Sequence, residues 1–182
     1  MKTWFYVAIY LLTGIILYGC QHAEQKEPYC RLNADSLFEY QTGKVQGKLQ
    51  LLRENDSLCV IQHLQNDSLL DEWKIEHEVY QFDCGDLTGD SIPEIAVGVI
   101  KPTRFRPYPD RRLFIFHLCK GIYIRPLWLG SRVGRPLKDF AIEHDTVPHL
   151  IHTWEYAEGD SLVECLYRYE GFGLKFVKYI ND

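Results

Sequence analysis

Between residues 47 and 180 the chain is written almost entirely as short β-rich runs broken by turn residues, and no stretch sustains the 3.6-residue apolar period of an amphipathic helix. The runs fall at 47–52, 57–64, 68–75, 94–100, 111–118, 122–129, 138–143, 148–154, 161–169 and 172–180, separated by Gly, Asn-Asp and Gly-Asp. Strands this short and this closely spaced specify an all-β domain of antiparallel sheets. Residue usage agrees, with 12 Tyr, 9 Phe and 4 Trp against a single Met, a set that suits pleated surfaces better than helices.

The runs also repeat. Asp90-Ser91-Ile92-Pro93-Glu94-Ile95 is echoed 55 residues later by Asp145-Thr146-Val147-Pro148-His149-Leu150, and more faintly 55 residues earlier by Asp35-Ser36-Leu37-Phe38-Glu39-Tyr40. Cys59–Leu64 matches Leu113–Leu118 in pattern, and Trp73 matches Trp128 at nearly the same offset. About four strands per 55-residue unit is the proportion of a propeller blade, but the chain holds only two to three such units, and propellers close with about 4–8 blades. The expected fold is therefore a partial β-propeller or a sandwich of blade-like sheets, the compact sandwich being favoured over an array completed by other subunits.

Ahead of this domain the sequence carries an address. Lys2 precedes a 14-residue apolar run, Trp4–Leu17, too short to span a bilayer and suited to the core of a signal peptide. Leu17-Tyr18-Gly19-Cys20 follows and resembles the bacterial lipobox, which implies cleavage after Gly19, lipid on Cys20 and a membrane anchor made of acyl chains. Residues 1–19 are then a lipoprotein signal peptide, 20–34 the lipidated cysteine with a polar tether, and 35–182 the all-β domain. Gln21 behind the cysteine, where Asp would retain the protein, fits sorting to the outer membrane.

Residues 82–98 read FDCGDLTGDSIPEIAVG. This run resembles the FG-GAP or VCBS repeat of integrin-α-like propellers, whose loop between the first two strands of a blade holds calcium. The resemblance implies Ca²⁺ ligands at Asp86, Thr88, Asp90, the Ile92 carbonyl and Glu94, because carboxylates at alternate positions of a tight loop turn toward one centre. The chain departs from that pattern twice. Thr88 stands where the family has Asn or Asp, and Ser91 stands at the turn position that favours glycine and φ > 0. The alternative is a Gly/Asp turn that only joins two strands. In the later copy, Glu143, His144, Asp145 and His149 do not keep the ligand ladder, so that loop is structural. A wider set of residues, Ile100–Phe105, Arg112–Phe116 and Ile124–Arg132, resembles a group of small bacterial lipoproteins, some labelled nuclear receptor-binding factor 2. A nuclear partner is inconsistent with an exported, lipid-anchored domain.

Charge is distributed unevenly. The whole chain carries −5, which argues against nucleic acid, yet Lys101–Lys138 holds ten Lys/Arg and one acid. The densest portions, Thr103–Arg112 and Ser131–Lys138, contain Pro and Gly and read as loops. Lys101, Arg104, Arg106, Arg111, Arg112, Arg132 and Arg135 are the candidate ligand-binding residues, for an acidic glycan or an acidic protein. The competing reading is a pair of solvated loops whose arginines pair with the acidic remainder. Tyr108, Phe105, Trp128 and Trp154 could supply faces for sugars or simply fill the core.

Evidence for catalysis is thin. Gly130-Ser131-Arg132-Val133-Gly134 is not a GxSxG elbow, no phosphate loop is present, and His149 and His152 on one strand would face opposite sides. The cysteines after Cys20 are Cys30, Cys59, Cys84, Cys119 and Cys165, without CxxC spacing. They read as buried thiols, with one disulfide through Cys30 left open. Six Asp-Ser/Thr-aliphatic triplets resemble the acceptor motif of bacterial O-glycosylation and nominate Ser57, Ser68 and Ser161, although Asp-Ser is also ordinary turn chemistry. The expectation is a non-enzymatic, lipid-anchored envelope binding module, with an accessory subunit pairing through a sheet edge, or an envelope hydrolase, as rivals.

Overall fold

The computed structural model describes residues 35–42, 45–104, 106–130 and 133–180. Cys20, Cys30, Phe105 and Arg132 lie outside the described residues, as does the side chain of Arg106. Twelve strands run in chain order: β1 Asp35–Thr42, β2 Val45–Asn55, β3 Leu58–Gln65, β4 Ser68–Ile75, β5 Glu78–Gly85, β6 Glu94–Thr103, β7 Arg106–Cys119, β8 Tyr123–Leu129, β9 Leu137–Glu143, β10 Leu150–Tyr156, β11 Leu162–Glu170 and β12 Gly173–Tyr179. They form three antiparallel four-stranded meanders, β1–β4, β5–β8 and β9–β12. The all-β, blade-like expectation holds. Among the described residues no helix is long and apolar enough to cross a membrane.

The sheets stack, with β5–β8 in the middle. One core joins Leu49, Leu51 and Ile61 of the first sheet to Ile95, Val97, Phe114 and Phe116 of the second. The other joins Ala96, Leu113 and Ile115 of the second to Phe140, Ile142 and Ile151 of the third. Alternate residues of β6 and β7 thus feed opposite cores, which is why Glu94–Val99 is buried at every position instead of at every second one. β4, by contrast, belongs to an outer sheet and alternates exposed and covered positions from Asp71 to Ile75. The Asn66-Asp67 pair between β3 and β4 adopts positive φ at both residues, the mirror-image turn that suits a two-residue hairpin.

The repeat is real in part. Asp90 and Asp145 both lie in loops between the first and second strands of a sheet, Cys59–Leu64 and Leu113–Leu118 are both third strands, and Trp73 and Trp128 are both on fourth strands. Asp35–Tyr40 is not a third copy of the loop, because it forms β1 itself, and the β1–β2 connection is too short for the motif. A further correspondence lies in close packing: a Cβ at Gly47 would come within 2.7 Å of Tyr40, and one at Gly98 within 2.6 Å of Tyr80. In each of these two sheets a tyrosine of the first strand lies flat across a glycine of the second.

Two strands escape the sequence reading, β1 and β5. DSLFEYQT and EVYQFDCG mix acids and amides into their apolar positions, and β5 runs straight into the acidic loop. The 103–112 stretch is corrected from a loop to strand. β6 and β7 pair out to Thr103↔Arg106, while β5 stops opposite Ile100 and β8 opposite Phe114. The result is a two-stranded arm beyond the sheet. Pro107 and Pro109 are tolerated there because no third strand requires their missing N–H groups. Ser131–Lys138 is likewise only partly loop, since β9 begins at Leu137.

Candidate functional site

The acidic loop is closed by its own hydrogen bonds. Asp86 Oδ1 accepts from the N–H groups of Gly89 at 2.6 Å and Asp90 at 3.1 Å, and Oδ2 from that of Ser91 at 2.9 Å. Asp90 Oδ1 accepts from the Ile92 N–H at 2.8 Å. Glu94 Oε2 accepts from the N–H groups of Leu87 and Thr88 at 2.9 and 3.0 Å, and the Thr88 hydroxyl faces Oε1 at 3.4 Å. Ser91 adopts φ 68° and Gly89 φ 83°, so the turn position where glycine is favoured does require φ > 0, and Ser91 bears that strain. Ile92 packs its side chain against the first core.

Glu94 is the unusual group. Its side chain is only 2% exposed, and its carboxyl is pushed up to about 7, chiefly by burial. The two amides pull the other way, and the charges of Asp90 and Asp86 add to the rise. The carboxylates of the motif therefore serve amides, and among the described residues no group of three or more His, Cys, Asp or Glu could hold a metal ion.

The later copy of the loop completes the earlier one. His149 N–H donates to the Asp86 carbonyl at 2.7 Å, and Asp86 N–H donates to His149 Nδ1 at 3.0 Å. Nδ1 must therefore be unprotonated, and burial followed by the nearby His144 holds the imidazole below its usual range. Asp83 fastens the third sheet from the side by accepting from the Ile142 N–H at 2.7 Å. His152 is elsewhere, on the outer face of the third sheet, between Glu143 at 2.9 Å and Glu164 at 3.0 Å and stacked on Trp154. The two histidines thus serve separate places.

The basic candidates divide. Consecutive strand residues face opposite sides, so Arg111 turns toward the third sheet, donates to the Lys138 carbonyl and lies over the Tyr80 ring at 4.5 Å. Arg112, 5% exposed, pairs with Asp110 at 3.3 Å. Lys101 lies over Phe114 at 5.2 Å. Arg104 is exposed near the tip, and Tyr108 between its two prolines is 80% exposed. Arg135 is set apart from these: its main-chain N–H donates to Glu155 at 2.6 Å, and the residue borders a cavity. Trp128 packs against the second core. Ser57, Ser68 and Ser161 are all exposed in or beside turns, with Ser57 hydrogen-bonded to Asn55 and Ser161 to the Glu158 carbonyl. Cys59, Cys84, Cys119 and Cys165 are free thiols.

The sequence reading missed the cluster around Glu155. This wholly buried carboxylate accepts from Thr153 Oγ1 at 2.7 Å as well as from the Arg135 amide, and it is also bonded by the Tyr167 hydroxyl and the Cys165 thiol. Only an acid set between two aromatics, Glu155 between Trp154 and Tyr156, hinted at it. No protein-family model matches the chain, and neither a curated protein nor a solved structure matches it significantly.

Proposed function

We propose that the protein is a non-enzymatic, lipid-anchored binding module of the bacterial envelope, held to the membrane through Cys20, whose β6–β7 arm engages an anionic partner. The observation that carries the reading is the arm itself, which extends past both neighbouring strands and carries Lys101, Arg104 and Arg106 in its sequence with the single acid Asp110, Arg111 and Arg112 following where β7 enters the sheet. Tyr108 at 80% exposure gives the tip an uncovered aromatic surface. An arm of two strands buries little and adds no core, so its sequence is unconstrained by packing at the tip. Cations there raise the rate and selectivity of encounter with a negative surface.

The test is retention of residues 20–182 carrying Cys20→Ser on polygalacturonate and on polyglutamate at low and high salt. Wild type is expected to bind at least one of them in a salt-dependent way, and Arg104→Glu with Arg106→Glu to lose it. Retention of neither polymer, or retention that ignores the double charge reversal, contradicts the reading.

A further inference from the structure

We propose that the cavity between the Val133–Pro136 segment and the β11–β12 hairpin is a binding subsite for a hexuronic acid, a pyranose ring bearing a carboxylate. The inference rests on the arm reading only in taking that ring to be a unit of an anionic glycan. The cavity is about 400 Å³, in the range of small-molecule sites, and is bordered by Val133, Arg135, Glu155, Tyr167, Phe176 and Tyr179.

Three rings make its wall. Tyr167 and Phe176 meet edge to face with centroids 5.8 Å apart, and Phe176 and Tyr179 are tilted at 4.8 Å. They form a corner instead of a stack, which leaves ring faces available, and Phe176 and Tyr179 remain 43% and 39% exposed although both turn toward the core side of the sheet. The electron-rich face of an aromatic ring attracts the C–H groups on one side of a pyranose.

Charge selects the acidic sugar. Glu155 lines the cavity but is wholly buried, and each of its oxygens already accepts one hydrogen bond, from the Thr153 hydroxyl and the Arg135 amide. Arg135 is the other charged residue lining the cavity, and among the described residues its side chain forms no ion pair. Its planar fork matches a carboxylate bidentately. Arg135 also borders a narrow crevice with Asp110, Arg111 and Arg112, which sets the cavity beside the base of the arm.

The experiment is saturation-transfer NMR on the same lipid-free chain with D-galacturonate and with neutral D-galactose. Galacturonate is expected to saturate, with the transferred signal concentrated on one face of the ring, and galactose to bind about tenfold more weakly or not at all. Arg135→Gln should weaken galacturonate about tenfold at unchanged Tm, because only the main chain of Arg135 holds Glu155. Tyr179→Ala, on an edge strand, should abolish the signal, and Lys74→Glu, exposed on the first sheet, should leave it intact. Absence of saturable galacturonate binding, equal binding of galactose, or indifference to both cavity variants overturns the subsite. Monomer binding without arm-dependent polymer retention would sustain the subsite and reject the arm; the reverse would reject the subsite and sustain the arm.

Discussion

The two ends of β6 are built in opposite ways. At Glu94 the strand emerges from a loop in which Asp86, Asp90 and Glu94 accept from six backbone amides of the same segment, and a histidine from the neighbouring sheet locks the assembly from outside. At Thr103, nine residues along, the same strand has left its sheet and pairs with β7 alone, in an arm that carries cations and, on β7, an uncovered tyrosine. One end turns its charges inward to hold the fold; the other turns part of its charge outward. The carboxylates of the acidic motif brace their own loop, and a stretch that reads as spacer between strands is the projecting feature.

The largest effect that separates the two ends is expected from Glu94→Ala. It leaves the Leu87 and Thr88 amides, one of them fully buried, without an acceptor and should cost about 3 kcal/mol, seen as a fall of roughly 8 °C in Tm. Glu94 also makes stability depend on pH. Because its carboxyl titrates near 7 in the fold and near 4.5 when unfolded, the folded chain holds a proton that the unfolded chain releases. That contribution is complete below pH 4.5 and is lost as pH rises through 7, amounting to about 3 kcal/mol at most. Glu94→Gln should flatten the decline between pH 5 and 8 in denaturant titrations; a decline that persists in the variant contradicts the assignment. His149, whose neutral form is favoured, acts in the other direction and loses its contribution as pH falls below its ordinary range.

Asp86→Ala comes next, at about 1–2 kcal/mol, since the three amides it serves are exposed enough for water to replace part of the bonding. Millimolar Ca²⁺ or EDTA should leave the Tm of wild type unchanged; a calcium-dependent rise abolished by Asp86→Ala would return the loop to the metal reading. Smallest of all is the effect of Arg104→Glu on stability, within about 0.5 kcal/mol, because the residue is exposed and outside both cores. A larger loss would mean the arm is part of the scaffold.

Much of the fold was legible in the residues. Ile95–Val99 is continuously apolar because it is covered on both faces, and Asn66-Asp67 marks its hairpin by turn chemistry alone. The loop-bearing echo at Asp90 and Asp145 was legible for the same reason: Pro and Asp at fixed offsets from a strand reflect a local backbone need. What stayed hidden depends on partners distant in sequence. Arg111 and Arg112 look alike until strand parity sends one to Tyr80 and the other to Asp110. Whether Asp86 faces a metal or three amides is decided by loop closure, to which spacing is blind. The Glu155 cluster gathers residues from β10, β11 and the segment before β9, and only the third sheet's pairing brings them together.

The central claim, that β6 holds the fold at one end and binds at the other, is tested most directly by measuring Tm and polygalacturonate retention together for Asp86→Ala and for Arg104→Glu with Arg106→Glu. The account predicts a lower Tm with retention preserved at low temperature for the first, and unchanged Tm with retention lost for the second. Retention lost in the Asp86 variant and kept in the arm variant would contradict it.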